Sequence, residues 1–146
     1  MVRLTWSALW PPRKRPRTES DRAGRWGERC AADYVRREGC KILGRRVKVG
    51  RRDEIDLLLR DGDTLVFAEV KTRRTEDFGA PASFVDRAKR ASQSRAAIRI
   101  VKKIKPLPDY IRFDIIEVIG RPDTGPREIR HIRNAFPLSP PYRYPG

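Results

Sequence analysis

The stretch from Glu54 to Lys71, EIDLLLRDGDTLVFAEVK, is the part of the chain with the least freedom. Two apolar runs with period-two character flank Gly62-Asp63, and Gly in the first central position of a two-residue loop is the signature of a type II′ hairpin turn. If those two residues form the turn, Asp61 pairs with Thr64, and residues whose numbers sum to 125 lie opposite one another. Asp56 then faces Glu69, Glu54 faces Lys71 and Leu58 faces Phe67. Ile55, Leu57, Leu59, Val66, Ala68 and Val70 point to the other side, so one face is wholly apolar and must be core. A slip of one residue would drive acids among the aliphatics, so the pattern selects its own register.

That register sets two carboxylates, Asp56 and Glu69, against each other. Directly opposed residues have β-carbons about 4.5 to 5.5 Å apart, where like charges repel unless something compensates. A divalent cation is one compensator. Mg²⁺ takes oxygen ligands and commonly uses one or two carboxylates, its other positions going to water and substrate phosphate. Lys71 follows Glu69 by two residues, hence on the same side and about 6.5 to 7 Å along the strand, within reach of a phosphate or an attacking water. The plain alternative is a solvated sheet face whose charges neighbouring arginines offset.

The surroundings favour a polyanion. The chain has 34 Lys and Arg against 19 Asp and Glu, a formal charge of +15, yet six of the acids fall between Asp53 and Glu69. Each cation placed on a phosphate releases condensed counterions, so nucleic acid is the expected partner. An acidic membrane surface would require a long basic amphipathic helix with a continuous apolar face, which the sequence lacks. Two cysteines, Cys30 and Cys40, and one histidine, His131, are too few for a four-ligand structural zinc. No stretch has the length of a secretory h-region or a membrane span, which predicts a cytoplasmic protein with reduced thiols.

At 146 residues the chain fits one domain. Residues 1–22, rich in Arg, Pro and Trp, read as a basic arm. GRWGERCAADYVRRE, from Gly24 to Glu38, has helical spacing of Cys30, Ala31, Tyr34 and Val35, with Gly39 as its stop. CKILGRRVKV, from Cys40 to Val49, reads as a first strand, and the hairpin supplies the second and third. TRRTEDFGAPAS is a loop. Ser83 and Asp86, in capping-box-like spacing, open a second helix toward Val101. KPLPD ends that helix, and YIRFDIIEVIG from Tyr110 alternates as a fourth strand. The order is αβββαβ, with a domain over residues 23–136 and a frayed, Pro-rich tail over 137–146.

An Asp followed across a hairpin by Glu-x-Lys resembles the PD-(D/E)xK nucleases, with Asp56, Glu69, Val70 and Lys71 in the pattern. GERCAADYVRREGCKIL, EIDLLLRDGDTLVFAEVKTR, FGAP, RFDIIEV and HIRNAF are similar, in order, to the motifs of the YraN-like bacterial family, covering Gly24 to Phe136. The resemblance implies an α/β, restriction-endonuclease-like mixed sheet flanked by helices, kin to Holliday-junction resolvases. It also implies an Mg²⁺-dependent endonuclease cutting nucleic acid, with Mn²⁺ as a substitute, and no particular substrate; kinship with the resolvases suggests DNA, including branched or flapped forms, and a homodimer would suit a four-way substrate. The competing function is a nucleic-acid-binding accessory module without efficient chemistry.

Carried over by position, Asp56 and Glu69 would ligate the metal with the Val70 carbonyl as a third donor, and Lys71 would position or activate the water. Glu28 matches an additional acidic position that binds a second metal or orients water, although an acid early in a helix is also favoured by the dipole alone. Glu54 would pair with Lys71. Lys89 sits near where related nucleases direct a Lys or Gln at the site, and Arg73, Arg74, Arg87 and Arg90 flank it as phosphate contacts. Asp53 stands where the family usually has Gly. Asp114 and His131 belong to recognisable motifs but read as structural.

Overall fold

The computed structural model describes residues 18–75 and 85–146. Helix α1 (Glu19–Arg37) is followed by strands β1 (Lys41–Val49), β2 (Asp53–Asp61) and β3 (Thr64–Arg73), helix α2 (Arg87–Val101), and strands β4 (Tyr110–Arg121) and β5 (Gly125–Ile132). The sheet runs β1-β2-β3-β4-β5. Every neighbouring pair is antiparallel except β3 and β4, which are parallel and joined through α2. A parallel pair needs such a crossover, and it places a helix over one sheet face. This is the α/β, restriction-endonuclease-like arrangement expected from the motifs, with a fifth strand added.

Helix α1 starts five residues before the expected Gly24. Thr18 is its N-cap: the Thr18 hydroxyl accepts from the Asp21 amide at 3.0 Å, and the Asp21 carboxylate accepts from the Thr18 amide at 3.2 Å. Residues 19–22, read as part of the arm, therefore belong to the helix, and residues 1–17 lie outside the described residues. The other end follows the sequence. Gly39 takes φ 89°, and the amides of Gly39 and Cys40 donate to the Arg36 and Val35 carbonyls at 3.0 and 2.9 Å. These are the paired bonds of a Schellman motif, which favours glycine at the left-handed position.

Each sheet face carries its own core. Trp26, Ala31 and Val35 of α1 pack on Leu57, Leu59, Val66, Ala68, Ile116 and Val118 of the sheet, with the free thiols of Cys30 and Cys40 alongside. On the other face Ile98 and Val101 of α2 pack on Val47, Ile55, Leu58, Phe67, Phe113 and Ile115. Burial of each large aliphatic or aromatic contributes about 1.5 to 3 kcal/mol, so both layers are needed to hold the five strands. Being covered on both sides, β4 is buried from Phe113 to Gly120 rather than alternating. Helix α2 is capped by Asp86, whose carboxylate accepts from the Lys89 amide at 2.7 Å; Ser83 and the FGAP motif lie outside the described residues.

The C-terminal tail corrects the expectation of fraying. Phe136 stacks on Phe113 with ring centroids 4.9 Å apart, and the Ser139 amide donates to the Ser94 hydroxyl at 2.9 Å. The Tyr144 hydroxyl donates to the Pro108 carbonyl, and Leu138, Tyr142 and Tyr144 pack on the α2-side core. The aromatic residues among the prolines bury apolar area that a frayed tail would leave in water. No helix among the described residues is long and apolar enough to cross a membrane.

Candidate active site

The hairpin register holds where the strands are flanked by aliphatics on both faces. The β2–β3 ladder runs from Asp61↔Thr64 to Leu57↔Ala68, each pair summing to 125. Gly62 has φ 61° while Asp63 is not among the positive-φ residues, as a II′-like turn requires. Past Leu57 the two strands part. β2 continues beside β1 to Val49↔Asp53, and β3 continues beside β4 to Arg73↔Ile119. A fork opens between them at Asp56 and Glu69.

Two expectations change at this fork. Ile55 packs under α2 and Leu57 under α1, although residues two apart on a regular strand share a face. The side-chain alternation therefore breaks at Asp56. Across from it, Arg46 has φ 47°, and the β1–β2 pairing passes from Arg45↔Leu57 to Val47↔Ile55. Instead of opposing Glu69 across a ladder rung, Asp56 turns its Oδ2 to accept the Val70 amide at 2.9 Å. Asp56, Glu69 and Lys71 remain half-buried at the mouth of the fork. Glu54 lies past the last rung with its carbonyl accepting from Gln93 of α2 at 3.2 Å, so its expected rung opposite Lys71 is absent from the β2–β3 ladder.

Both helices deliver charge to the fork. Gly27 of α1 lies so close to β3 that a β-carbon there would fall 1.9 Å from the Thr72 hydroxyl oxygen, and this approach seats the next residue, Glu28, beside the sheet. Arg46 grips Glu28 with both arms of its guanidinium, at 2.7 and 3.1 Å, and that bond raises the Arg46 pKa further. From the other face, the Lys89 ammonium lies 3.6 Å from Glu69 Oε1. The second oxygen, Oε2, is buried and has no hydrogen-bond partner among the described residues. An ionised oxygen in that position carries a desolvation cost of several kcal/mol unless a cation or water meets it.

Asp56 registers this crowding. Its pKa is pushed up to about 7, chiefly by burial and further by Glu28 and Glu69, against the Val70 amide and Lys89, which favour the charged form. Among the described residues no three His, Cys, Asp or Glu side chains converge as a complete metal cage. The donor set is two carboxylates, Asp56 and Glu69, with one oxygen of Glu69 unsatisfied. This fits Mg²⁺, which keeps several waters, and does not fit zinc.

The remaining predicted residues divide. Arg74 and Arg87 are exposed and Arg90 is half-buried, while Arg73 points its Nε at the buried Glu117, 3.8 Å away. Asp53, in the place of the usual Gly, is buried and clasped by Arg95 through two bonds of 2.8 Å, which hold its carboxyl below the usual range. Asp114 accepts from Arg112 at 2.8 and 3.0 Å and from the Asn134 amide at 3.0 Å, and bonds His131 Nε2 at 2.7 Å. Tyr34 of α1 meets His131 Nδ1 at 3.3 Å, and Arg112 also reaches Asp61 at 3.0 Å. Tyr34, Arg112, Asp114 and His131 thus tie α1, β2, β4 and β5 together. Sequence reasoning missed Arg46 and Gln93, since nothing in GRRVKV or RASQSR marks one Arg or Gln as a partner of the site.

Comparisons with known proteins agree with the motif reading. The model of the uncharacterised protein family UPF0102 matches residues 27–118. A UPF0102 protein of Symbiobacterium thermophilum is 41% identical over 117 residues, covering 80% of this chain and 98% of its own. One from Frankia alni is 40% identical over 116 residues, 80% and 95% of the two chains, and one from Geotalea uraniireducens is 37% identical over 129 residues, 87% and 98%.

Proposed function

From the premise that the chain belongs to the UPF0102 (YraN) family, within the restriction-endonuclease-like superfamily, we propose that it is an Mg²⁺-dependent endonuclease of the cytoplasm, hydrolysing phosphodiester bonds in nucleic acid and in DNA above all. The observation that carries this reading is the orphaned, buried Oε2 of Glu69 beside the Asp56 carboxylate at the mouth of the fork. A phosphate-binding surface gains nothing from burying anions where its ligand arrives. The formal charge of +15 supplies the attraction for the polyanion.

Asp56 and Glu69 would hold the metal. When bound, Mg²⁺ supplies charge stabilisation for the phosphoryl oxygens and a more acidic water. The Val70 amide fixes the Asp56 carboxylate, so the fork presents it preoriented. Lys71 and Lys89 bring ammonium groups to the phosphate as negative charge grows on it. Arg46 holds Glu28 at the edge of the site, where its carboxylate can orient a water without intruding on Glu69. Branched DNA is the substrate form that kinship with junction resolvases suggests, with two copies of the chain acting on a four-way junction.

The second reading, an accessory module that binds without cutting, draws support from the Lys89–Glu69 ion pair, which already neutralises one acid. Linear, flapped and four-way DNA incubated with Mg²⁺ or Mn²⁺ separates the two. Cleavage that disappears in Asp56→Asn and Glu69→Gln supports the nuclease. Cleavage that survives both substitutions refutes this site, and salt-sensitive binding with no cutting by the unsubstituted protein establishes the module instead.

A further inference from the structure

Among the described residues, Arg36, Arg46, Arg73, Arg95, Arg112 and Arg130 each lie against a carboxylate. Arg22, Arg74 and Arg121 come from α1, the residue after β3 and the end of β4, and none of them has an ion pair with a described residue. Yet all three line one cleft of about 870 Å³, together with Thr72, Glu19 and Asp123. Both acids are exposed, and the lining carries three cations against two anions, a net of +1. A cleft of this size that is open and lined by charged side chains differs from small-molecule pockets, which are mostly apolar. It suits a polymer with a repeating charge.

It adjoins the fork along α1 and β3. Thr72, which packs on Gly27, belongs to the cleft, and the neighbouring residues Lys71 and Glu28 belong to the site. From Glu28 back to Ala23 on the cleft wall is five helical residues, about 7.5 Å. Arg74 follows the end of β3, three residues and about 10 Å of extended chain beyond Lys71. Phosphates of one strand recur every ~3.4 Å along a duplex axis, so these spans correspond to two or three nucleotides.

We propose that the cleft between the first turns of α1 and the ends of β3 and β4 holds the phosphodiester backbone two to three nucleotides to one side of the cut, through Arg22, Arg74 and Arg121. The inference rests on the nucleic-acid reading above and names where the strand leaves the site. It predicts that cleavage falls when the substrate ends within two nucleotides of the cut on that side, while shortening the other side has less effect.

The test uses the full chain in EDTA, so that binding is read without chemistry. Fluorescence anisotropy of labelled single-stranded and duplex DNA is measured over a salt series. Arg22→Gln, Arg74→Gln and Arg121→Gln combined is compared with Arg37→Gln, Lys102→Gln and Lys103→Gln, which removes equal charge from exposed positions at the other ends of the helices. At about 0.7 to 0.9 per phosphate contact, the slope of log affinity against log salt falls by about 2 to 3 in the cleft variant and by less than 1 in the control. Equal losses in the two variants, or an unchanged slope in the first, overturn the proposal, as does absence of binding by the unsubstituted protein. Single substitutions, each expected to lower the slope by about 0.7 to 0.9, serve if the combined variant unfolds. If the cleft variant loses its slope while no metal supports cutting, the nuclease reading fails and the cleft stands. If DNA is cut but the two variants bind alike, only the cleft reading fails.

Discussion

At Asp56, chemistry and stability pull in opposite directions. Its folded-state pKa near 7 lies above the ordinary 3.8, so between these values the folded chain keeps a proton that the unfolded chain has released. Metal-free stability therefore falls as pH rises from about 4 to about 7 and levels off above, by an amount on the order of a few kcal/mol. Asp56→Asn removes that slope: in EDTA at pH 8 it should melt higher than the unsubstituted protein, while at pH 4 the two should converge. A lower melting temperature for the Asn variant at pH 8 would show that the carboxylate is not strained there. Arg46 poses the converse case. Arg46→Met leaves Glu28 half-buried without its partner, and denaturant titration should find a loss of about 1 to 3 kcal/mol. Glu28→Gln in the same background should recover part of it.

Among the elements, helix α1 is placed by its contact at Gly27. Gly27→Ala drives a methyl against Thr72, and either the helix lifts or the strand end shifts, at a cost of about 1 to 3 kcal/mol. Thr72→Ala removes the closest atom and should restore part of the melting temperature, whereas an independent additive loss would argue against the contact. How far such placements can be read from sequence depends on what defines each element. The hairpin register from Leu57 to Asp61 is legible because aliphatics on both strands make any slip costly. Its break at Asp56 is not, because the cause lies partly on another strand, where Arg46 adopts a positive φ. Thr18 and Asp21 form a capping box in plain sight, but Pro and Arg just before them disguise it. Strand β5, GPREIRHI, has no apolar run at all, since an edge strand with one face half-exposed needs only Ile129 and Ile132 for packing.

On the scale of the whole molecule, the site is assembled from three independent supports: α1 brings Glu28, α2 brings Lys89, and the parted strands bring Asp56 and Glu69. That Asp56 and Glu69-x-Lys71 meet at one end of the hairpin was readable from spacing, since they stand at fixed offsets from an evident turn, although the rung expected between Asp56 and Glu69 is absent. Their partners were not, because Arg46 and Gln93 gain meaning only after folding. The tail belongs to this scale as well. Ending the chain at Phe136 removes the Ser139 bond and the Tyr142 and Tyr144 packing over α2. Hydrogen exchange should then show faster opening of α2 than of α1, and equal acceleration in both helices would mean the tail stabilises the fold only globally.

The Gly62-Asp63 turn stands at the opposite end of the hairpin from the fork, separated by the five rungs of the ladder, about 17 Å of strand. Because β2 and β3 are each secured by an outer neighbour, that corner is a suitable place to graft a dye, an affinity peptide or a tether. Such a handle would report on nucleic acid added to the protein without standing in the way of the fork.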